Sequence, residues 1–410
     1  MSGPTTLVVG SSIGGVRTAQ ALRAAGYAGE VVLIGEEQRL PYDKPPLSKA
    51  VLAGAEAGIA LLTDDAAREA GLRLLLGRRA ERLDVAASEL ELDGGERLGF
   101  DDLVVATGAS ARPAPWGTGP GVHVLRTLDD ACAVREDLLA GGHLVVVGGG
   151  FVGAEVAATA RTLGLQVSMV DPVEVPMSRL LGIEVGRIIT GLHERHGVAT
   201  YFGAGVADIA GERGALRVTL TDGRVIEAST VVVGIGATPN DGWLASSGLL
   251  VEDGLVCDEH CRALDEPRVH AVGDVARWWH PRHGARVRVE HWTNAVEQAA
   301  LVAHNIVHPD DLRAYAPVEY VWSDQYDWKI QIAGRTGTAH HEIIGDPTTD
   351  PRFAVLYTDA GDSALSGLVT VNWPRALVAG RKALAAGAGL AELRSRLHEQ
   401  PRRRRPAPPP

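Results

Sequence analysis

The stretch LVVVGGGFVGAEVAATARTLGLQVSMVD, residues 144–171, decides how the chain is read. An apolar run enters a cluster of glycines, an alanine-rich segment of helical character follows, and a second apolar run ends in an acid. Gly148, Gly150 and Gly153 give the spacing GxGxxG. The first allows a tight turn, the second lets the main chain approach a pyrophosphate, and the third lets helix and strand pack closely. The unpaired N–H groups of the helix N-terminus then face the anion. Asp171 comes about 20 residues after the turn, where a carboxylate accepts a hydrogen bond from an adenosine ribose 2′-OH and repels a 2′-phosphate. The unit predicts a dinucleotide site that favours NADH over NADPH.

Residues 7–36, LVVGSSIGGVRTAQALRAAGYAGEVVLIGE, repeat the same strand, turn, helix, strand and acid. Here Gly10, Ser12 and Gly15 give GxSxxG, with Gly14 also available, and Glu36 stands at the ribose position. Serine puts a Cβ and a hydroxyl where the main chain should come closest to phosphate, so one reading is a turn that has lost its ligand. The rest of the unit is intact, which favours a second site holding a different dinucleotide. Two such sites in one chain suggest FAD in the first and NADH in the second.

The outer bounds agree with a large soluble α/β protein. The chain has 410 residues, 45% of them hydrophobic and 22% charged, enough for two or three domains. A net charge of −11 argues against general affinity for nucleic acid or anionic membranes. No apolar run reaches the ~18 residues needed to cross a bilayer, no secretory leader is evident, and the expected location is the cytoplasm. Three further stretches carry the two-site reading. LVVATGAS (103–110) is a strand ending in a turn at Thr107 and Gly108, suited to crossing between domains beside a cofactor. TVVVGIGATPN (230–240) repeats that form as a return crossing. VHAVGDVA (269–276) ends in Gly-Asp, placing the Asp274 carboxylate to accept hydrogen bonds from ribityl hydroxyls.

With these segments in order, the sequence resembles the FAD-dependent ferredoxin reductases of oxygenase systems, a group that includes putidaredoxin, rubredoxin and biphenyl-dioxygenase ferredoxin reductases. The likeness runs through LPYDKPPLSKAVLAG (40–54), LRTLDDA (125–131), RVEHWTNAVEQA (288–299) and VWSDQYDWKIQIAG (321–334) as well as the segments above. It implies two Rossmann-like dinucleotide-binding domains in a glutathione-reductase-like arrangement, plus a C-terminal α+β domain with an antiparallel sheet. The FAD domain would comprise 1–111 and 235–313, the NAD domain 112–234 and the C-terminal domain 314–400. Residues 401–410, PRRRRPAPPP, are expected to be a disordered tail.

The resemblance also implies roles for single residues. Pro45 and Pro46 stiffen the loop 40–49, and Lys49 lies near flavin N5, where its charge can stabilise the negative charge that hydride transfer creates. Lys44 stands where relatives often carry arginine, so a point charge replaces a planar fork. Glu155, two residues past Gly153, is expected to pair with Lys49; the alternative is an acid that merely complements the helix dipole. Gly14 would meet FAD phosphate through its main chain, Glu36 the ribose, and Ala80 the adenine. Arg126 would reach the phosphates or flavin side, or else lie on solvated surface. Trp292 starts a helix whose N–H groups favour negative charge at flavin N1 and O2. Its indole would face the electron acceptor or fill the core.

The expected activity is transfer of electrons from NADH through FAD to an acidic iron–sulfur ferredoxin, [2Fe–2S] or similar, serving a haem monooxygenase or a ring-hydroxylating dioxygenase. The enzyme would be a monomer or weak homodimer. Alternatives are reduction of a small acceptor such as monodehydroascorbate or a quinone, and a redox-responsive binding protein. Cys257 and Cys261 are not spaced as CxxC and no cysteine occurs in 40–49, so a flavin-coupled disulfide is not expected. The histidines of WWHPRHG and AHHE have no companions at metal-ligand spacing, and no metal is expected. Because both partners would be acidic, a local basic surface made of Lys44, Arg286 and Arg288 is expected to receive the ferredoxin, with arginines 402–405 as the alternative lure.

Overall fold

A computed structural model of the protein describes residues 3–54, 59–337, 340–359 and 364–398, and the arginine-rich tail lies outside them. The chain forms two compact units, one of residues 1–172 and 198–317, the other of residues 173–197 and 318–410. This division places 173–197 with the C-terminal segment, whereas the sequence reading keeps those residues within a 112–234 domain. Among the described residues no helix is long and apolar enough to cross a membrane.

The first unit holds the two repeats at the parallel centres of two sheets. In the first, strand Thr5–Val9 lies between Glu30–Gly35 and Asp102–Val105, with Leu72–Leu76 beyond one and Glu266–Ala271 beyond the other, all parallel. Four more strands extend this sheet to nine, ending in the hairpin Ala276–His280 and Ala285–Arg288. In the second, His143–Val147 lies between Gln166–Asp171 and Thr230–Val233, with Ala199–Phe202 and Val122–Val124 outside. Strands covered on both faces need continuous apolar sequence. Leu7, Val8, Val9 and Leu144 to Val147 are accordingly buried.

Each central strand ends in a glycine that no other residue could replace without strain. Gly10 and Gly148 have φ of 116° and 106°. A Cβ on Gly10 would stand 2.1 Å from the Ala106 carbonyl oxygen, and one on Gly148 would stand 2.3 Å from that of Gly234. The turns therefore press against the two crossing segments. Helices Ile13–Ala24 and Phe151–Thr162 follow them. The crossings themselves pair as antiparallel strands, Ala109–Ala111 with Ala237–Pro239.

In the second unit, strands Tyr320–Gln325, Trp328–Gly334, Leu365–Val371, Phe353–Thr358 and His341–Ile344 form an antiparallel sheet in that order. Helix Pro374–Ala386 packs on it through Ala376, Leu377 and Leu384. Helix Ile183–Arg195 is tied to the same sheet, His193 hydrogen bonding Gln325 at 3.0 Å and Tyr326 at 3.2 Å. Burial lowers the His193 pKa to about 4, so the ring is neutral at physiological pH. The fold is α/β with an antiparallel α+β C-terminal part, as the sequence predicts.

Candidate cofactor and active site

The loop 40–49 closes into a wide helical turn, Leu47–Val51, whose Val51 N–H donates to the Pro46 carbonyl at 3.0 Å. This turn lies on helix Phe151–Thr162. Lys49 Nζ is 2.8 Å from Glu155 Oε1, in an ion pair whose side chains are 21% and 7% exposed. Ser48 Oγ donates to Glu155 Oε2 at 2.5 Å, and Thr159 Oγ1 donates to the Ser48 carbonyl at 2.9 Å. The Glu155 carboxylate, nearly buried, thus has a cation on one oxygen and a hydroxyl on the other. An acid serving the helix dipole alone would not need either partner.

A second set of contacts ties the first βαβ unit to the segment 125–131. Tyr42 donates to Glu37 Oε2 at 2.6 Å and accepts from the Leu128 N–H at 2.9 Å. Burial and the hydrogen bond to Glu37 push the Tyr42 pKa up. Lys44 Nζ lies 3.5 Å from Glu37 and 3.3 Å from the Arg126 carbonyl, and its pKa is lowered by desolvation and then by the Arg126 charge. Arg126 Nη2 donates to Asp274 Oδ2 at 3.0 Å. Beside them, Thr107 Oγ1 donates to the Asn240 carbonyl at 2.7 Å, Asn240 Nδ2 returns a bond to the Thr107 carbonyl, and the Asn240 N–H donates to Gly108. Two turns predicted separately from the sequence are one clasp.

The glycine turns fit dinucleotides. Gly150 is the N-cap of its helix with extended backbone, and a Cβ there would meet nothing within 4 Å, so the space before the helix is open. Ser12 occupies the matching position with φ −94° and ψ −165° and makes no side-chain cap bond. Serine therefore costs the turn no backbone strain, and its hydroxyl is not spent on the helix. Gly15 and Gly153 are required by packing, since a Cβ on Gly15 would come within 1.8 Å of the Gly10 carbonyl oxygen and one on Gly153 within 2.1 Å of that of Gly148. Gly14 is buried, facing Val272. Asp171 Oδ2 accepts the Gly149 N–H at 2.8 Å, which holds the acid against the turn. Glu36 is exposed at the end of its strand, and Ala80 is buried at the start of strand Ala80–Asp84. Arg126 Nε is buried without a hydrogen-bond partner, a donor that an anionic cofactor would satisfy. Open space at the Gly150 turn and that orphaned donor are what FAD and NADH require.

Trp292 begins helix Trp292–Val307, and its indole N–H donates to Asp43 Oδ1 at 2.7 Å, clamping the loop from the other side. Burial raises the Asp43 pKa against the opposing pull of that bond. Asp43, Ser48, Tyr42, Thr159 and Asn240 all hold the site, and sequence reasoning missed each of them. The stretch PYDxPPLS was the available signal for the first three, since polar residues between or just after prolines have few local partners.

The expected basic docking surface needs correction. The Arg288 side chain is 12% exposed and bound by Asp253 at 3.1 Å, Glu290 at 2.6 Å and the Asp274 carbonyl at 3.1 Å. Lys44 is likewise turned inward. Only Arg286 of the three is exposed. The cysteine expectation fares differently. Cys257 and Cys261 are fully buried free thiols, and burial pushes both pKa values up, the opposite of a reactive thiolate.

Residues 4–299 match the family model described as pyridine nucleotide-disulphide oxidoreductase, and residues 320–396 match the reductase C-terminal model. The chain is 37% identical over 393 residues to the ferredoxin–NAD(+) reductase component of an anthranilate 1,2-dioxygenase system from Burkholderia cepacia, covering 95% of this chain and 96% of that one. It is 36% identical to rhodocoxin reductase of Rhodococcus erythropolis, with 92% and 89% covered. Among solved structures, the covalent putidaredoxin reductase–putidaredoxin complex superposes with a TM-score of 0.90 at 30% identity, covering 98% of this chain and 100% of that one. With both glycine turns, the crossing clasp and the C-terminal sheet in place, the chain belongs to the pyridine nucleotide-disulphide oxidoreductase family.

Proposed function

We propose that the protein is an NADH:ferredoxin oxidoreductase that passes electrons through FAD to an acidic [2Fe–2S] ferredoxin serving an oxygenase in the cytoplasm. The observation that carries this reading is the Lys49–Glu155 pair, a nearly buried charge couple between the loop after the first nucleotide unit and the helix of the second. The likeness to ferredoxin reductases of dioxygenase systems supports the choice of acceptor.

FAD would be held by the turn at Gly10, Ser12, Gly14 and Gly15, by Glu36 and Ala80, and by Arg126, Asp274 and the segment Thr107–Gly108. NADH would take the turn at Gly148, Gly150 and Gly153, with Asp171 on its ribose. When bound, FAD supplies conversion between the two-electron chemistry of NADH and the one-electron chemistry of an iron–sulfur centre. Lys49 places a positive charge where negative charge develops, and Glu155 holds that lysine in place. The N-terminus of helix Trp292–Val307 adds partial positive charge from its N–H groups. Arg126, paired with Asp274, keeps Nε available to an anion. Cys257 and Cys261, buried with raised pKa values, are not arranged as a redox pair for the flavin.

The test is NADH-dependent reduction of cytochrome c with and without a [2Fe–2S] ferredoxin. Turnover that requires the ferredoxin is expected. Equal turnover without it, or rapid reduction of a quinone or monodehydroascorbate in its place, overturns the proposal.

A further inference from the structure

We propose that Ser48 is a positioning residue for the Lys49–Glu155 pair: its hydroxyl holds Glu155 while Thr159 holds its main chain, fixing where the Lys49 ammonium stands. The inference rests on reading that pair as the charge that assists electron entry. Glu155 and Thr159 are four residues apart and share one face of helix Phe151–Thr162. They grip the same residue by two different groups, the carboxylate taking the Ser48 hydroxyl at 2.5 Å and the threonine reaching its carbonyl at 2.9 Å. Both Ser48 and Glu155 are 5% exposed.

Adjacent residues on an ordinary helix do not face a common neighbour. The wider turn at Leu47–Val51 permits it here, so Ser48 and Lys49 engage opposite oxygens of one carboxylate. A lysine on a flexible four-carbon stem is a poor device for holding a charge still. A charge-assisted bond from a short, buried hydroxyl is a better one. Remove that hydroxyl and Oε2 loses a donor in a site largely closed to water, which favours rotation of the carboxylate. Lys49, bound to the other oxygen, would follow it.

The experiment compares the FAD-loaded wild type with Ser48→Ala, Ser48→Cys, Glu155→Gln, Lys49→Met and the double variant Ser48→Ala/Glu155→Gln. Stopped-flow mixing with NADH gives the limiting rate of flavin reduction and the NADH concentration at half-maximum. Ser48→Ala should lower the limiting rate about 10-fold, the size expected for one hydrogen bond to a charged group, with the half-saturating NADH concentration unchanged. Ser48→Cys, which keeps the volume and a weak donor, should fall between alanine and serine. The double variant should be no slower than Glu155→Gln, because the serine acts only through that carboxylate. Thermal unfolding of the same four proteins that make up the Ser48/Glu155 cycle should likewise be non-additive. Wild-type rates in Ser48→Ala, or losses that add in full in the double variant, overturn the role of Ser48 while leaving the pair standing. Wild-type rates in both Glu155→Gln and Lys49→Met overturn the pair and the proposal with it.

Discussion

Arg126 on the segment after strand Val122–Val124 and Asp274 in the short turn Gly273–Val275 after strand Glu266–Ala271 form an ion pair of 3.0 Å across 148 residues of chain. Asp274→Asn keeps the size and the hydrogen-bonding oxygen but removes the charge that orients Arg126. FAD retention is expected to fall about 10-fold, the scale of one charge-assisted hydrogen bond. Fluorescence of FAD released on dialysis measures it. Retention equal to wild type would remove both residues from the cofactor site.

Asp171 is held by the Gly149 N–H, so its carboxylate has a defined place beside the second turn. NADH should exceed NADPH in kcat/KM by at least ~10-fold, equivalent to 1.4 kcal/mol. Asp171→Ala should narrow that ratio. Equal use of both coenzymes by the wild type would deny Asp171 its selective role.

Lys49→Met keeps the apolar stem and deletes the charge. Flavin reduction by NADH should slow about 10-fold while FAD remains bound, since a charge aimed at the reacting centre acts mainly on the rate. Reduction at the wild-type rate in a stopped-flow trace would show that the charge is dispensable.

Arg288→Glu would set a third carboxylate beside Asp253 and Glu290, in place of an arginine side chain that is 12% exposed. Two ion pairs are lost and like charges are brought together where a half-buried arginine stem had packed, and the expected result is a lower Tm. Arg286, exposed on the same hairpin, is the cleaner probe of docking. Arg286→Glu should leave Tm within about 1 °C and raise the KM for ferredoxin several-fold at low salt, the difference shrinking as salt screens it. A KM unchanged at every ionic strength would exclude this hairpin from the docking surface.

Native protein should expose one thiol to a disulfide reagent, that of Cys132, and three after denaturation. The raised pKa values of Cys257 and Cys261 keep both protonated at neutral pH, and burial denies access as well. Reaction of more than one thiol in the folded state would contradict this.

What the sequence disclosed and what it hid follow from the range of the forces involved. Gly10 and Gly148 were legible because left-handed backbone and close approach leave glycine no competitor, and that demand is local. The place of Asp171 was legible because it ends its strand at a fixed distance from such a turn. Ser48 meets Glu155 across 107 residues and Trp292 meets Asp43 across 249. No spacing rule encodes either bond. Arg288 shows the same boundary from the other direction: its charge is written in the sequence, but its burial depends on acids brought in by the fold.

The clasp made by Ala109–Ala111, Ala237–Pro239 and Asn240 bears on how such a chain is put together. Exit and re-entry of everything between lie side by side, one interstrand spacing apart. A parent sheet thus needs no widening to host a guest of any length, because the host's two cut ends are already neighbours. A graft between relatives would therefore have to preserve this paired exit and re-entry.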